Sequence, residues 1–161
     1  SLVREDQDKA QEYIQELSRV LRYTLQGNDS KSVTLRDEME FVSAYIFLLK
    51  MRFEDNLSFD IRIDKQYDDH RLPPMAVQML IENAVKHNEI SDRRPLSIRV
   101  YTEGEELVVT NPVQPKLTAT AGTGVGLANL AKRYHLLYKC EIQITENKYF
   151  TVRIPLIPNA L

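Results

Sequence analysis

The chain has a single cysteine, Cys140, among 161 residues. One thiol excludes an internal disulfide and a thiolate-rich metal cluster, and it fits a reducing compartment. No apolar run approaches the roughly 20 residues that a membrane-spanning helix needs. The formal net charge of -2 leaves no basic excess to track a phosphate backbone, so no nucleic-acid partner is expected. Internal repeats and low-complexity segments are also lacking. What remains is ordinary globular material: 43% hydrophobic and 27% charged residues are enough for one substantial domain with a short helical extension.

Two helices are predicted in the first third. Ala10, Ile14, Leu17, Leu21 and Thr24 recur with 4-3-4-3 spacing, and Gln26-Gly27-Asn28-Asp29-Ser30 supplies a C-cap and a loop. Leu35, Met39, Val42, Ile46, Leu49 and Phe53 repeat that rhythm behind Thr34 as N-cap, with Asp37 and Glu38 in the first turn. Such spacing suits bundle packing or dimerisation, and equally a helix hairpin folded onto its own domain. From Leu57 the period changes to two: Leu57, Phe59, Ile61 and Ile63 alternate with polar residues, as in a half-buried strand. Pro73-Pro74 opens a helix through about Asn88. Residues 96–101 and 106–110 read as strands joined at Thr102-Glu103-Gly104-Glu105. Residues 112–124 lack periodicity and are long enough for a lid. A helix at about 125–138 and a hairpin of 141–145 with 149–154 complete an α+β layer structure.

Two segments carry the chemistry. On the helix after Pro74, Ala76, Val77, Leu80, Ile81, Ala84 and Val85 form an apolar stripe, while Met79, Asn83, Lys86 and His87 share a flank. Glu82 lies at the edge of that flank. An amide oxygen beside a carboxylate can hold Mg²⁺ directly or through water, and Lys86 can neutralise a phosphate as a point charge. The same residues also suit a solvated face with a Glu82–Lys86 pair. Further on, Gly122-Thr123-Gly124-Val125-Gly126-Leu127 opens directly into a helix. Glycines let a backbone approach a ligand closely, and a helix N-terminus offers free N–H groups and a positive dipole end, both suited to phosphate. Taken alone, such a loop is equally a flexible connection.

Together the two segments resemble a known family. Leu72 to His87 resembles the N box of the GHKL ATPases and, more narrowly, of the bacterial LytS/YehU-type sensor histidine kinases. The glycine segment, with Asn129 and Arg133 after it, is similar to that family's G2 box. Leu17 to Tyr23, Val33-Thr34-Leu35 and Tyr45 to Phe53 resemble its dimerisation-to-catalytic segment, so the likeness covers nearly the whole chain. It implies a Bergerat fold: a two-layer α/β sandwich, its mixed sheet covered on one face by helices, preceded by a two-helix segment. Residues 1–55 would be the rear part of the dimerisation and histidine-transfer helices, and residues 56–161 the ATP-binding catalytic domain. ATP would lie between the N-box helix and the lid. By the same resemblance Asn83 would ligate Mg²⁺, Glu82 would position water or join the metal shell, and Lys86 and His87 would meet the triphosphate. The backbone of Gly122, Thr123, Gly124, Val125 and Gly126 would wrap the phosphates, with Leu127 packing the nucleotide pocket. Such an arrangement suits phosphoryl transfer, where the protein mainly positions groups and neutralises charge.

The sequence departs from the family pattern twice. Strand alternation puts Asn111, followed by Pro112-Val113, where the adenine-reading aspartate and glycine usually stand. An amide oxygen still accepts a hydrogen bond but lacks the charge that strengthens it. The phosphoacceptor segment is also absent, since His70, His87 and His135 all lack its neighbours. The expectation is therefore a chain beginning just after that motif, with acceptor histidine and membrane sensor upstream, that does not autophosphorylate alone. The implied role is transfer of the ATP γ-phosphate to that upstream histidine and thence to a response regulator. The implied setting is the cytoplasmic domain of a bacterial inner-membrane protein, homodimeric at full length. Two alternatives stay open. One is a nucleotide-dependent switch or ATPase of the gyrase and chaperone type, whose catalytic glutamate would fall at Met79. The other is a degenerate module that docks a partner through the heptad helices.

Overall fold

The computed structural model describes residues 2–27, 31–117 and 124–159. In chain order the elements are α1 (Leu2–Gly27), β1 (Val33–Thr34), α2 (Leu35–Phe53), β2 (Leu57–Arg62), β3 (Arg71–Leu72), α3 (Ala76–His87), β4 (Leu96–Glu103), β5 (Glu106–Pro112), α4 (Val125–Tyr138), β6 (Gln143–Glu146) and β7 (Tyr149–Pro155). The main sheet has the order β2-β4-β5-β7-β6. Its β2–β4 pair is parallel and the other three pairs are antiparallel. A parallel pair needs a crossover, and α3 lies within it. The β4–β5 hairpin turns at Gly104, whose φ of 60° favours glycine. The mixed sheet and the α+β class expected from the sequence are both present.

Local chemistry starts and stops α2 where the sequence indicated. Thr34 Oγ1 accepts the Asp37 N–H at 3.2 Å, satisfying one of the orphan donors of the first turn. At the other end the Lys50 ammonium donates to Glu54 O at 3.1 Å and Leu57 O at 2.7 Å, which covers the turn into β2. The start of α3 differs from expectation. The helix begins at Ala76, after Pro73 and Pro74, which are buried in its approach. Met75 turns the chain in the left-handed region, with φ 65°.

One continuous core holds these elements together. Leu35, Val42 and Leu49 of α2, Val77, Leu80 and Ile81 of α3, and Leu130 and Tyr134 of α4 pack with the inward residues of the sheet, among them Ile98, Val100, Leu107 and Ile154. Three helices therefore cover one face. Among the described residues, the apolar positions of α1 take no part in this core, and Val3, Ile14 and Leu21 are 69%, 61% and 55% exposed. This helix meets the body near its end, where the Tyr23 ring stacks on Phe41 of α2 at 4.2 Å.

Candidate functional site

The flank predicted on α3 forms, and it is divided between two neighbours. On one side α4 approaches. Gly124 adopts φ 65° at the head of α4, a conformation that favours glycine, and its carbonyl accepts the Ala128 N–H at 3.1 Å to begin the helix. A Cβ placed on Gly126 would lie 3.3 Å from Met79 Sδ, so the two helices touch at that point. Asn83 stands one turn beyond Met79 on the same flank and is half-buried, as is His87. The first turn of α4, with its free N–H groups, thus sits beside the helix that carries Asn83. Buried Leu130 and Tyr134 hold α4 in place, and the Tyr134 hydroxyl donates to Pro155 O at 2.9 Å. Leu127 is partly buried against the core, and Val125 is exposed. Gly122 and Thr123 lie outside the described residues.

On the other side of α3 faces α2. Glu82 points this way, not toward α4: it accepts a 2.8 Å hydrogen bond from Gln78 Nε2, and its charge adds to the burial that raises the Tyr45 hydroxyl. A cavity of about 410 Å³ opens here, with Tyr45, Arg52, Glu82, Lys86 and Lys116 in its lining. Lys86 lies between the two flanks and is exposed. The structure therefore brings Asn83 and His87 together on the α4 side and sets Glu82 on the α2 side. Among the described residues no group of three or more His, Cys, Asp or Glu could cage a metal. A single amide oxygen can join the shell of a magnesium ion that keeps waters and takes its other oxygens from substrate phosphates, and Lys86 can neutralise those phosphates in turn.

The base of the expected lid is pinned by residues the sequence did not single out. Asn88, just past α3, donates through Nδ2 to Ala84 O at 2.8 Å and accepts the Gln114 N–H at 2.9 Å. Gln114 is buried, and its Nε2 lies 2.7 Å from Glu89 O, 3.0 Å from Arg94 O and 3.3 Å from Pro95 O. The chain leaving β5 is thereby fastened to the end of α3. Asn111, at the end of β5, is buried, and its Nδ2 donates to Pro112 O at 2.7 Å. That bond turns the amide so that its oxygen is left to accept.

Glu38, expected only as a first-turn acid of α2, instead holds the other end of α3. Its carboxylate is fully buried and accepts from the Tyr23 hydroxyl at 2.6 Å, the Met75 N–H at 3.0 Å and the Val77 N–H at 3.0 Å. It thus supplies the N-terminal cap that α3 lacks from its own residues. Burial raises its carboxyl above the usual range, with the hydrogen bonds pulling the other way. The same burial, with the Glu38 charge, pushes the Tyr23 hydroxyl well up. A signal was present: Glu38 occupies a slot of the Leu35, Val42, Leu49 stripe, where an acid is out of place unless bonded.

Comparison with known proteins gives these features a family. A family profile described as histidine kinase matches residues 1–57. The "Sensor protein LytS" of Streptococcus agalactiae is 32% identical over 156 residues, 86% of this chain and 26% of its own length. The "Sensor histidine kinase BtsS" of Escherichia coli is 30% identical over 166 residues, 96% of this chain and 29% of its own. The chain belongs to the sensor histidine kinases. It spans between a quarter and a third of the length of these relatives. The catalytic domain of the histidine kinase ThkA superposes with a TM-score of 0.52, covering 78% of this chain and 95% of that one at 19% identity. This likeness extends the family's GHKL-type fold to the described α/β layers.

Proposed function

We propose that this chain binds ATP with Mg²⁺ between α3 and the start of α4 and donates the γ-phosphoryl group to a histidine outside its own sequence, from which a response regulator takes it. The observation that carries this is the contact of Gly126 with Met79, which sets the head of α4 beside the flank bearing Asn83. In this reading the Asn83 amide oxygen ligates the metal, and Lys86 and His87 meet the phosphates. The backbone of the segment from Gly122 to Gly126 donates N–H groups to them, and Asn111 accepts from the adenine amino group. The magnesium ion neutralises phosphate charge when bound. The protein's own part is to hold the donors in place, as phosphoryl transfer requires.

Residues 1–55 then continue a dimerisation segment, and residues 56–161 form the catalytic part. Helix α2 is common to both, since it lies in the first stretch and packs into the core of the second. The exposed Ile14 and Leu21 of α1 support pairing with a second copy in the full-length protein. Among the described residues no helix is long and apolar enough to cross a membrane. Attachment to a bacterial inner membrane is proposed to run through other segments of such a protein.

Titration calorimetry with ATP and Mg²⁺ tests the reading. Asn83→Ala should weaken binding at least about tenfold, equivalent to ~1.4 kcal/mol. Unchanged affinity in that variant refutes the site. Steady hydrolysis of ATP by the chain would point instead to an ATPase, a reading disfavoured by the thioether of Met79 where a catalytic carboxylate would be needed.

A further inference from the structure

The contacts around Glu38 join three helices in a way that bears on the nucleotide. Tyr23 is where α1 grips the body: its ring lies on Phe41, tilted by 15°, and its hydroxyl is 2.6 Å from Glu38 Oε1. From Glu38 the connection passes directly to the first turn of α3 through the Met75 and Val77 N–H groups. A second route runs along α2. Phe41 stacks with Tyr45 at 6.4 Å, Tyr45 and Glu82 line the same cavity, and Gln78 donates to Glu82, the neighbour of Asn83. Both routes leave from Tyr23 and end on α3. Residues 3–15 of α1 are exposed, and its half-buried residues, Glu16, Leu17, Val20, Tyr23 and Thr24, all lie in its second half.

We propose that Tyr23 and Glu38 are positioning residues for Asn83, coupling the placement of α1 to nucleotide affinity. The inference rests on the assignment of the nucleotide to the Asn83 flank. Its physical basis is rigidity. A buried carboxylate with three donors tolerates little displacement, because each lost bond strands a polar group away from water. A shift of Tyr23 is therefore passed to the Met75–Val77 turn, and α3 moves as a unit with Asn83 two turns further on. Helix α1 acts here as a handle, with its grip on the cap of the nucleotide helix.

Coupling is reciprocal by thermodynamic necessity, which supplies a readout that a merely structural role would not move. In this chain, ATP with Mg²⁺ should change amide hydrogen exchange at residues 20–24 of α1 as well as at residues 75–78. Tyr23→Phe keeps the ring stack and removes only the bond to Glu38. It should lower ATP affinity about fivefold or more, the scale of ordinary allosteric couplings. It should also weaken the exchange response in α1, since only the stacked route remains, while leaving the one in α3. Glu38→Gln, which turns an acceptor oxygen into a donor facing N–H groups, should do the same where it folds. The proposal is overturned if nucleotide leaves exchange in α1 unchanged, or if Tyr23→Phe keeps both affinity and response. Should the unsubstituted chain fail to bind ATP, both proposals fall; binding that Asn83→Ala abolishes and Tyr23→Phe leaves intact removes this one alone.

Discussion

Gln114 offers the sharpest test of how the lid base is held. Its amide nitrogen carries two hydrogens and faces three backbone oxygens, the nearer two at 2.7 Å and 3.0 Å. Gln114→Ala removes both donors, and each lost bond is worth ~1 kcal/mol net, more where the carbonyl stays dry. The expected loss is about 2–3 kcal/mol, or a fall in melting temperature on the order of 5–10 °C for a chain of this size. Gln114→Glu has nearly the same shape but sets acceptors against acceptors. It should be worse than the alanine variant at neutral pH by ~1–3 kcal/mol. Such a buried carboxyl is pushed upward in pKa, so its protonated form regains one donor as pH falls, and the extra loss shrinks in acid. Urea unfolding of the three proteins at pH 7 and pH 5 measures both effects. A glutamate variant as stable as the alanine variant at pH 7 would refute the donor role of Gln114.

Three further outcomes follow from the same geometry. Gly124→Ala should cost about 1–2 kcal/mol, because φ 65° is unfavourable to alanine while the space around its Cβ is open. Gly124→Asn should recover part of that loss, and equal unfolding midpoints for all three proteins would contradict the backbone origin. Asn111→Ala should weaken ATP binding in calorimetry while leaving ADP-to-ATP discrimination intact; an unchanged dissociation constant removes Asn111 from the adenine. For Glu38, burial raises the carboxyl above its unfolded value. The sign is then fixed: its contribution is whole below the unfolded pKa and is lost as pH rises through the folded one. The stability advantage over Glu38→Gln should therefore be largest in acid and shrink toward neutrality, and a series of urea midpoints with the opposite trend would be fatal.

Helix α2 and its Thr34 cap, the hairpin at Gly104, and the flank of Met79, Asn83 and His87 were legible in the sequence alone. Each is local: a period of 3.6 or 2, a cap three residues from its donor, or a glycine at a turn. The start of α3 is not legible there, for the complementary reason. Pro73-Pro74 carried a local signal, but the helix begins at Ala76 because its first N–H groups are met by Glu38, 39 residues before Val77. Glu82 looked like a companion of Asn83 and turns instead to Gln78 beside α2. Nor did the heptad rhythm of α1 say whether its stripe would be buried. Composition and periodicity determined which residues share a face. Only the tertiary structure decided what each face meets, because Glu38 with Met75, Gln114 with Asn88 and Gly126 with Met79 are brought together by the fold and not by their spacing.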